Sequence, residues 1–275
     1  MTWWQALILG LVEGLTEYLP VSSTGHLILV QRVMGIGGQA ANAYAICIQA
    51  GAIVAVLGLY RHRLRQIGKG LIGSPGGLAG RRLGLNLVIG LLPAAIIGVV
   101  FDDLIEAKLF GLKPIVAAWF IGGLAILIVA GRMKQRSRRR GGRSLEQLTW
   151  QMALTIGFIQ TLAMWPGTSR SLVTIVGGLL VGMSLAAAVE FSFLLGVLTL
   201  LAATVYKIHE AGPIMLEAYG WWPMLVGSMA AWVSAVVAVK WMVSYLRSHG
   251  LELFGYYRVA IAVVVGVLII CKVLS

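Results

Sequence analysis

The 275-residue sequence predicts an all-α polytopic membrane protein, an inverted-topology repeat of six transmembrane helices and two re-entrant helix–loop–helix hairpins. Three observations carry that prediction. Hydrophobic residues make up 59% of the chain and charged residues 12%, against roughly 25% charged in soluble domains. Basic residues gather in alternate loops. Two apolar stretches are interrupted by Pro/Gly/Ser/Thr clusters where a simple span would continue.

Runs of about 20 apolar residues are long enough to cross the hydrocarbon core as helices. Such runs lie at 43–60, 83–101, 114–131, 185–206, 221–243 and 256–274. They continue to the C-terminus, so a secretory signal peptide does not account for the apolar N-terminus. The 61–82 loop carries Arg61, Arg63, Arg65, Lys69, Arg81 and Arg82, and the 132–143 loop carries Arg132, Lys134, Arg136, Arg138, Arg139, Arg140 and Arg143. Asp102, Asp103 and Glu106 oppose two lysines in 102–113, and Lys207, Glu210 and Glu217 sit in 207–220. Lys/Arg-rich loops stay cytoplasmic. The first two loops and that around Arg247 are therefore expected inside, the other two and both termini outside. The net charge of +12 then reads as orientation signals and contacts to anionic lipid, and no nucleic-acid partner is expected.

The hairpins are expected at 3–35 and 147–183. The first is broken by Pro20-Val21-Ser22-Ser23-Thr24-Gly25-His26, the second by Pro166-Gly167-Thr168-Ser169-Arg170-Ser171. Non-helical backbone at membrane depth is tolerated only within protein or beside a water-filled cavity. Gly10-x-x-Glu13 parallels Gly157-x-x-Gln160, and Pro20-x-Ser22-Ser23 parallels Pro166-x-Thr168-Ser169 with a one-residue gap between. Three crossings follow each hairpin. Three is odd, so the second copy (145–275) is inverted relative to the first (1–131) within one membrane domain. The two hairpin tips are expected to meet near the midplane, where such folds place their sites.

Glu13 and Glu17 are four apart on a helix and share a face. A carboxylate at this depth costs about 2.5–3.5 kcal/mol or more, and two together repel. A shared cation resolves both problems, and hard oxygen ligands select Mg²⁺ or Ca²⁺. Ser22, Ser23, Thr24 and His26 follow the break directly. A hydroxyl nucleophile needs a base, and Ser23 and His26 are spaced to hydrogen-bond across one tight turn. Alone, these residues are equally suited to capping the next helix. Beside two buried acids they read as catalytic. Arg170 needs an anion, and its planar fork matches phosphate oxygens. Gly167, Thr168, Ser169 and Ser171 supply hydroxyls and approachable N–H groups around it. The bland partner for Arg170 would be a protein carboxylate such as Glu190, which also lies in an apolar run. His62, His209 and His249 read as solvated. Trp3, Trp4, Trp221 and Trp222 read as an interfacial belt, and Cys47 and Cys271 as small buried hydrophobes.

The run from Glu13 to His26, Glu-Gly-Leu-Thr-Glu-Tyr-Leu-Pro-Val-Ser-Ser-Thr-Gly-His, resembles the first signature of the bacterial undecaprenyl-diphosphate phosphatases. Pro166–Ser171 resembles their second signature, and Ile48–Gly51 and Glu190–Phe193 extend the likeness over the whole chain. One departure is visible. The family usually has Gly after the second serine of the second signature, where this chain has Leu172.

The resemblance implies a divalent-metal-dependent hydrolase of the bacterial plasma membrane. It would convert undecaprenyl diphosphate to the monophosphate carrier of cell-wall synthesis, in a pocket opening to the periplasm. It implies that Glu13 and Glu17 are the acidic pair, Ser23 and His26 the hydroxyl and base, and Ser169, Arg170 and Thr174 the phosphate clamp. Ser23, His26 and water stay open as nucleophile, and monomer and homodimer both stay open. The rival class is a lipid-phosphate transporter or flippase, since broken helices at midplane also build transporters. An acid pair, hydroxyl, His and Arg together suit hydrolysis better than passage.

Overall fold

The computed structural model describes residues 1–109, 111–137 and 141–274. The side chains of Asp102, Asp103, Glu106, Lys134 and Arg136, and all of Arg138, Arg139 and Arg140, which carry part of the expected loop charge, lie outside the described residues. Among the described residues the structure is helical, with one isolated bridge between Arg143 and Met183 and no strand. In chain order the helices are α1 (Trp3–Thr16), α2 (Ser23–Val33), α3 (Gln39–Cys47), α4 (Gln49–Leu59), α5 (Arg61–Leu71) and α6 (Leu78–Leu109). They continue with α7 (Leu112–Ser137), α8 (Trp150–Gln160), α9 (Arg170–Leu180), α10 (Leu185–Tyr219), α11 (Trp221–Tyr245) and α12 (Glu252–Ile270).

Six helical segments are long and apolar enough to cross a membrane: Gln39–Leu59, Leu78–Phe101, Leu112–Arg132, Leu185–Tyr219, Trp221–Tyr245 and Glu252–Ile270. Each contains or overlaps one of the expected runs. The helices overrun the expected loops. α10 continues through 207–220 to Gly220, whose φ of 72° ends it. Lys207 and Glu210 pair at 2.7 Å on that extension, three residues apart on one face. The basic 61–82 segment is also partly helical. Leu64, Ile67 and Leu71 recur at helical spacing, and Ile67 and Leu71 pack beside Gly84 of α6 while Arg61 and Arg65 stay exposed.

Each interrupted stretch folds as two short helices flanking its break: α1 and α2 around Pro20, and α8 and α9 around Pro166. α1 is seated against α11 through small residues. A Cβ on Gly10 would strike the Gly227 carbonyl, and one on Gly14 would strike Ala231 and Ser234. Backbones can approach this closely only where side chains are absent or small. α8 lies on α6 in the same manner, with Gly157 against Gly90. α9 packs on α10, and α7 on α12. These contacts hold both breaks inside the bundle.

Trp3, Trp4, Trp221 and Trp222 are exposed, as a belt requires, and His62, His209 and His249 are exposed too. Cys47 is buried, but Cys271 is exposed at the end of α12, because the helix runs out there.

Candidate active site

The two breaks share an unusual backbone. Ser22 has φ 75° and ψ 100°, and Ser169 has φ 77° and ψ 113°. A non-glycine residue with positive φ is uncommon and carries strain that surrounding structure must hold. Each serine caps the helix it precedes: Ser22 Oγ accepts from Gly25 N at 3.4 Å, and Ser169 Oγ from Leu172 N at 3.3 Å. Placing Ser22 on Ser169 requires no gap, so the one-residue gap expected from the two prolines is removed. The ungapped alignment pairs Gly10 with Gly157, Glu13 with Gln160, Glu17 with Met164 and Ser23 with Arg170.

Ser23 and Arg170 are thus the first residues of α2 and α9, and both reach Glu17. Arg170 Nη2 donates to Glu17 Oε1 at 3.0 Å, and Ser23 Oγ donates to Glu17 Oε2. Arg170 Nη1 also donates to the Ser192 carbonyl at 3.2 Å, its Cζ lies 5.5 Å from the centre of the Tyr18 ring, and its Nε has no partner. Gly196 of α10 makes room for this guanidinium, since a Cβ there would overlap it. Glu190 is not the partner of Arg170. It pairs instead with Arg63 at 2.6 Å, and Arg63 also meets Glu146 at 3.0 Å, which ties α5 and the 145–147 turn to α10.

These residues open on a cavity of about 620 Å³. Glu17, Ser22, Ser23, Thr24, Gly167, Ser169 and Arg170 of the two breaks line it, and Gln31, Asn42, Gln49, Gln160 and Thr199 add further polar groups to its wall. Most of the remaining wall is apolar, with Leu27 of α2, Leu91 and Ala94 of α6 and Leu200 of α10 among its side chains. The N-termini of two 11-residue helices therefore meet one polar pocket. First-turn N–H groups lack intrahelical acceptors, and the helix dipole is positive there, so both favour an anion.

Other predicted residues are placed differently. His26 does not hydrogen-bond Ser23; Glu17 holds that hydroxyl. The ring nitrogens of His26 are engaged by the Ser22 carbonyl at 2.6 Å and Tyr257 Oη at 2.7 Å, and its ring stacks on Tyr257. Thr174 is fully buried behind the cavity, where its Oγ1 donates to the Arg170 carbonyl at 2.9 Å and lies 2.6 Å from Ser192 Oγ. Ser171 donates to the Leu19 carbonyl at 2.8 Å and so stitches the second break to the first. Thr168 is half-buried and is absent from the cavity wall. Leu172, where the resembled signature has Gly, fills the core through a buried side chain.

Glu13 is 0% exposed and lies behind Glu17; neither of its carboxylate oxygens has a hydrogen-bond partner. Hard, unpartnered oxygens beside a second carboxylate are a donor set that suits a divalent cation. Among the described residues, no group of three or more His, Cys, Asp or Glu side chains is placed to hold a metal.

One central residue was missed from sequence. Arg258 of α12 is 0% exposed, and its Nη2 donates to the carbonyls of Ala118 (2.8 Å) and Gly167 (2.9 Å), while Nη1 reaches Pro20 O at 3.4 Å. It pins both breaks to α7. Its signal was present, a lone arginine inside an apolar span.

The family model described as bacitracin resistance protein BacA matches residues 6–264. The chain is 43% identical over 267 residues to an undecaprenyl-diphosphatase of Sorangium cellulosum, covering 96% of this chain and 86% of that one. It is 44% identical over 267 residues to an undecaprenyl-diphosphatase of Methylococcus capsulatus (96% and 93% covered), and 41% over 263 residues to one of Dechloromonas aromatica (95% and 92%). The chain belongs to the bacitracin resistance protein BacA family.

Proposed function

We propose that this protein is an undecaprenyl-diphosphatase, hydrolysing undecaprenyl diphosphate to undecaprenyl phosphate and inorganic phosphate. The observation that carries the reading is the meeting of Ser23, Glu17 and Arg170 in the wall of a largely apolar cavity. A prenyl tail suits the apolar wall, and a diphosphate suits two helix N-termini and a guanidinium. Phosphoryl transfer asks chiefly for positioning and charge compensation.

In this reading Ser23 Oγ attacks the terminal phosphorus and passes its proton to Glu17, which already accepts its hydrogen bond. The bond from that phosphorus to the bridging oxygen breaks, and undecaprenyl phosphate leaves. Water then attacks the phosphorus, the bond to Ser23 Oγ breaks, and that oxygen takes its proton back from Glu17 as inorganic phosphate leaves. Arg170 compensates charge on the transferring group. His26 orients α2 through Ser22 and Tyr257. Glu13 and Glu17 would hold Mg²⁺ or Ca²⁺, which when bound supplies further charge compensation for the diphosphate oxygens.

The site is read as opening to the periplasm of a bacterial plasma membrane, within an inverted repeat of two re-entrant hairpins. The matching backbone at Ser22 and Ser169 supports the repeat, as does the reciprocal packing of α1 on α11 and α8 on α6. The test is phosphate release by purified protein from the long-chain diphosphate, with and without chelator. Release that chelation stops, and added Mg²⁺ or Ca²⁺ restores, is expected. Intact diphosphate lipid after incubation with either ion would sink the reading in favour of a transporter.

A further inference from the structure

We propose that Gln160 is a substrate-binding residue whose side-chain Nε2 donates to a phosphate oxygen of the polyprenyl diphosphate. The inference rests on the phosphatase reading and adds a contact from the second half of the chain. Gln160 is 1% exposed, ends α8 and lines the cavity that holds Glu17, Ser23 and Arg170. Its Nε2 is buried with no hydrogen-bond partner. A donor kept dry without an acceptor is costly, so such a group needs a reason. A packing role does not supply one. Among the described residues, the side-chain hydrogen bond that Gln160 makes, accepted from Thr199 Oγ1 at 3.5 Å, uses Oε1 and leaves Nε2 unexplained. A phosphate is an acceptor-only ligand and would satisfy it.

The choice of side chain supports the same conclusion. With Ser22 aligned on Ser169, Gln160 stands where the first half has Glu13, and Met164 stands where it has Glu17. Met164 lines the cavity as well. Among the described lining residues Glu17 is thus the one acid, and the second half of the chain brings none. A carboxylate at 160 would repel the diphosphate, whereas an amide of the same shape donates to it without bringing charge.

The experiment measures steady-state kinetics of Gln160→Met, which keeps length but removes the donor, and Gln160→Glu, which keeps shape and adds charge. Long- and short-tailed diphosphates are used, with thermal unfolding in detergent as a check on folding. For Gln160→Met, KM is expected to rise about tenfold to a hundredfold, the worth of one hydrogen bond to a charged group. The rise should be equal for both tails and kcat should stay within about twofold. Gln160→Glu should lose more than Gln160→Met. Should Gln160→Met not fold, the Gln160→Glu loss is read with inorganic pyrophosphate as competing inhibitor, whose inhibition constant should weaken in step. Unchanged KM in a folded variant of an active enzyme overturns the inference alone, as does a KM rise confined to the long tail. A wild-type chain that leaves every diphosphate intact overturns the phosphatase reading and this inference with it.

Discussion

Arg170 and Glu17 lie 153 positions apart, yet Nη2 of the arginine donates to Oε1 of the glutamate at 3.0 Å with both side chains almost wholly buried. The contact joins the second break to the first, so neither half of the chain builds the polar pocket alone. Breaking a buried pair from one side leaves an uncompensated charge. Arg170→Lys keeps the charge but loses the fork that spans Glu17 and the Ser192 carbonyl. Phosphate release should fall about 10²–10³-fold, the size of one lost transition-state donor, with little change in thermal stability.

Ser23, rather than His26, holds the hydrogen bond to Glu17. Phosphate from labelled substrate should therefore be trapped as acid-stable phosphoserine at position 23. An acid-labile label on His26 would reassign the nucleophile. Tyr257→Phe removes only the outer support of His26 and should cost about 1 kcal/mol of stability and a several-fold loss of activity, measured by thermal unfolding and turnover.

Arg258 is a positioning residue that never reaches the cavity wall. Arg258→Met should leave the carbonyls of Pro20 and Gly167 short of the donor that Arg258 supplies, at about 1–3 kcal/mol for each group left dry, while Ala118 keeps its place in the α7 ladder. Both melting temperature and turnover should drop together, and Arg258→Lys should recover part of each. Loss of turnover at full stability would contradict this positioning role.

The seat of α1 on α11 gives a folding test. Gly14→Ala forces a Cβ into Ala231 and Ser234, which should cost about 1–3 kcal/mol as overpacking and lower activity, because α1 carries Glu13 and its C-terminal end sets Glu17. Gly131→Ala, with open space around it, is the control and should melt like the wild type.

Much of this architecture was legible in the sequence because lipid imposes strict rules. Six apolar runs and two interruptions translate directly into six long helices and two pairs of short ones. Glu17, Ser23 and Arg170 were legible as intramembrane polar residues beside helix breaks. Their partners were not. Ser23 at three residues from His26 looked like a pair, but the left-handed turn at Ser22 directs the serine to Glu17 and the histidine to Tyr257. Glu190 looked available to Arg170 until the helical 61–71 segment brought Arg63 to it. Arg258 lay in an ordinary apolar span, and only tertiary contact shows that it faces two carbonyls from separate breaks. The register between the breaks was obscured by proline, which occupies different positions before each capping serine.

The most direct test compares inorganic phosphate release by the wild type, Glu17→Ala and Arg170→Ala at equal folded concentration in the same detergent. A site assembled from both halves of the chain predicts steady release by the wild type and near-complete loss in each variant. Normal turnover by either variant would contradict it.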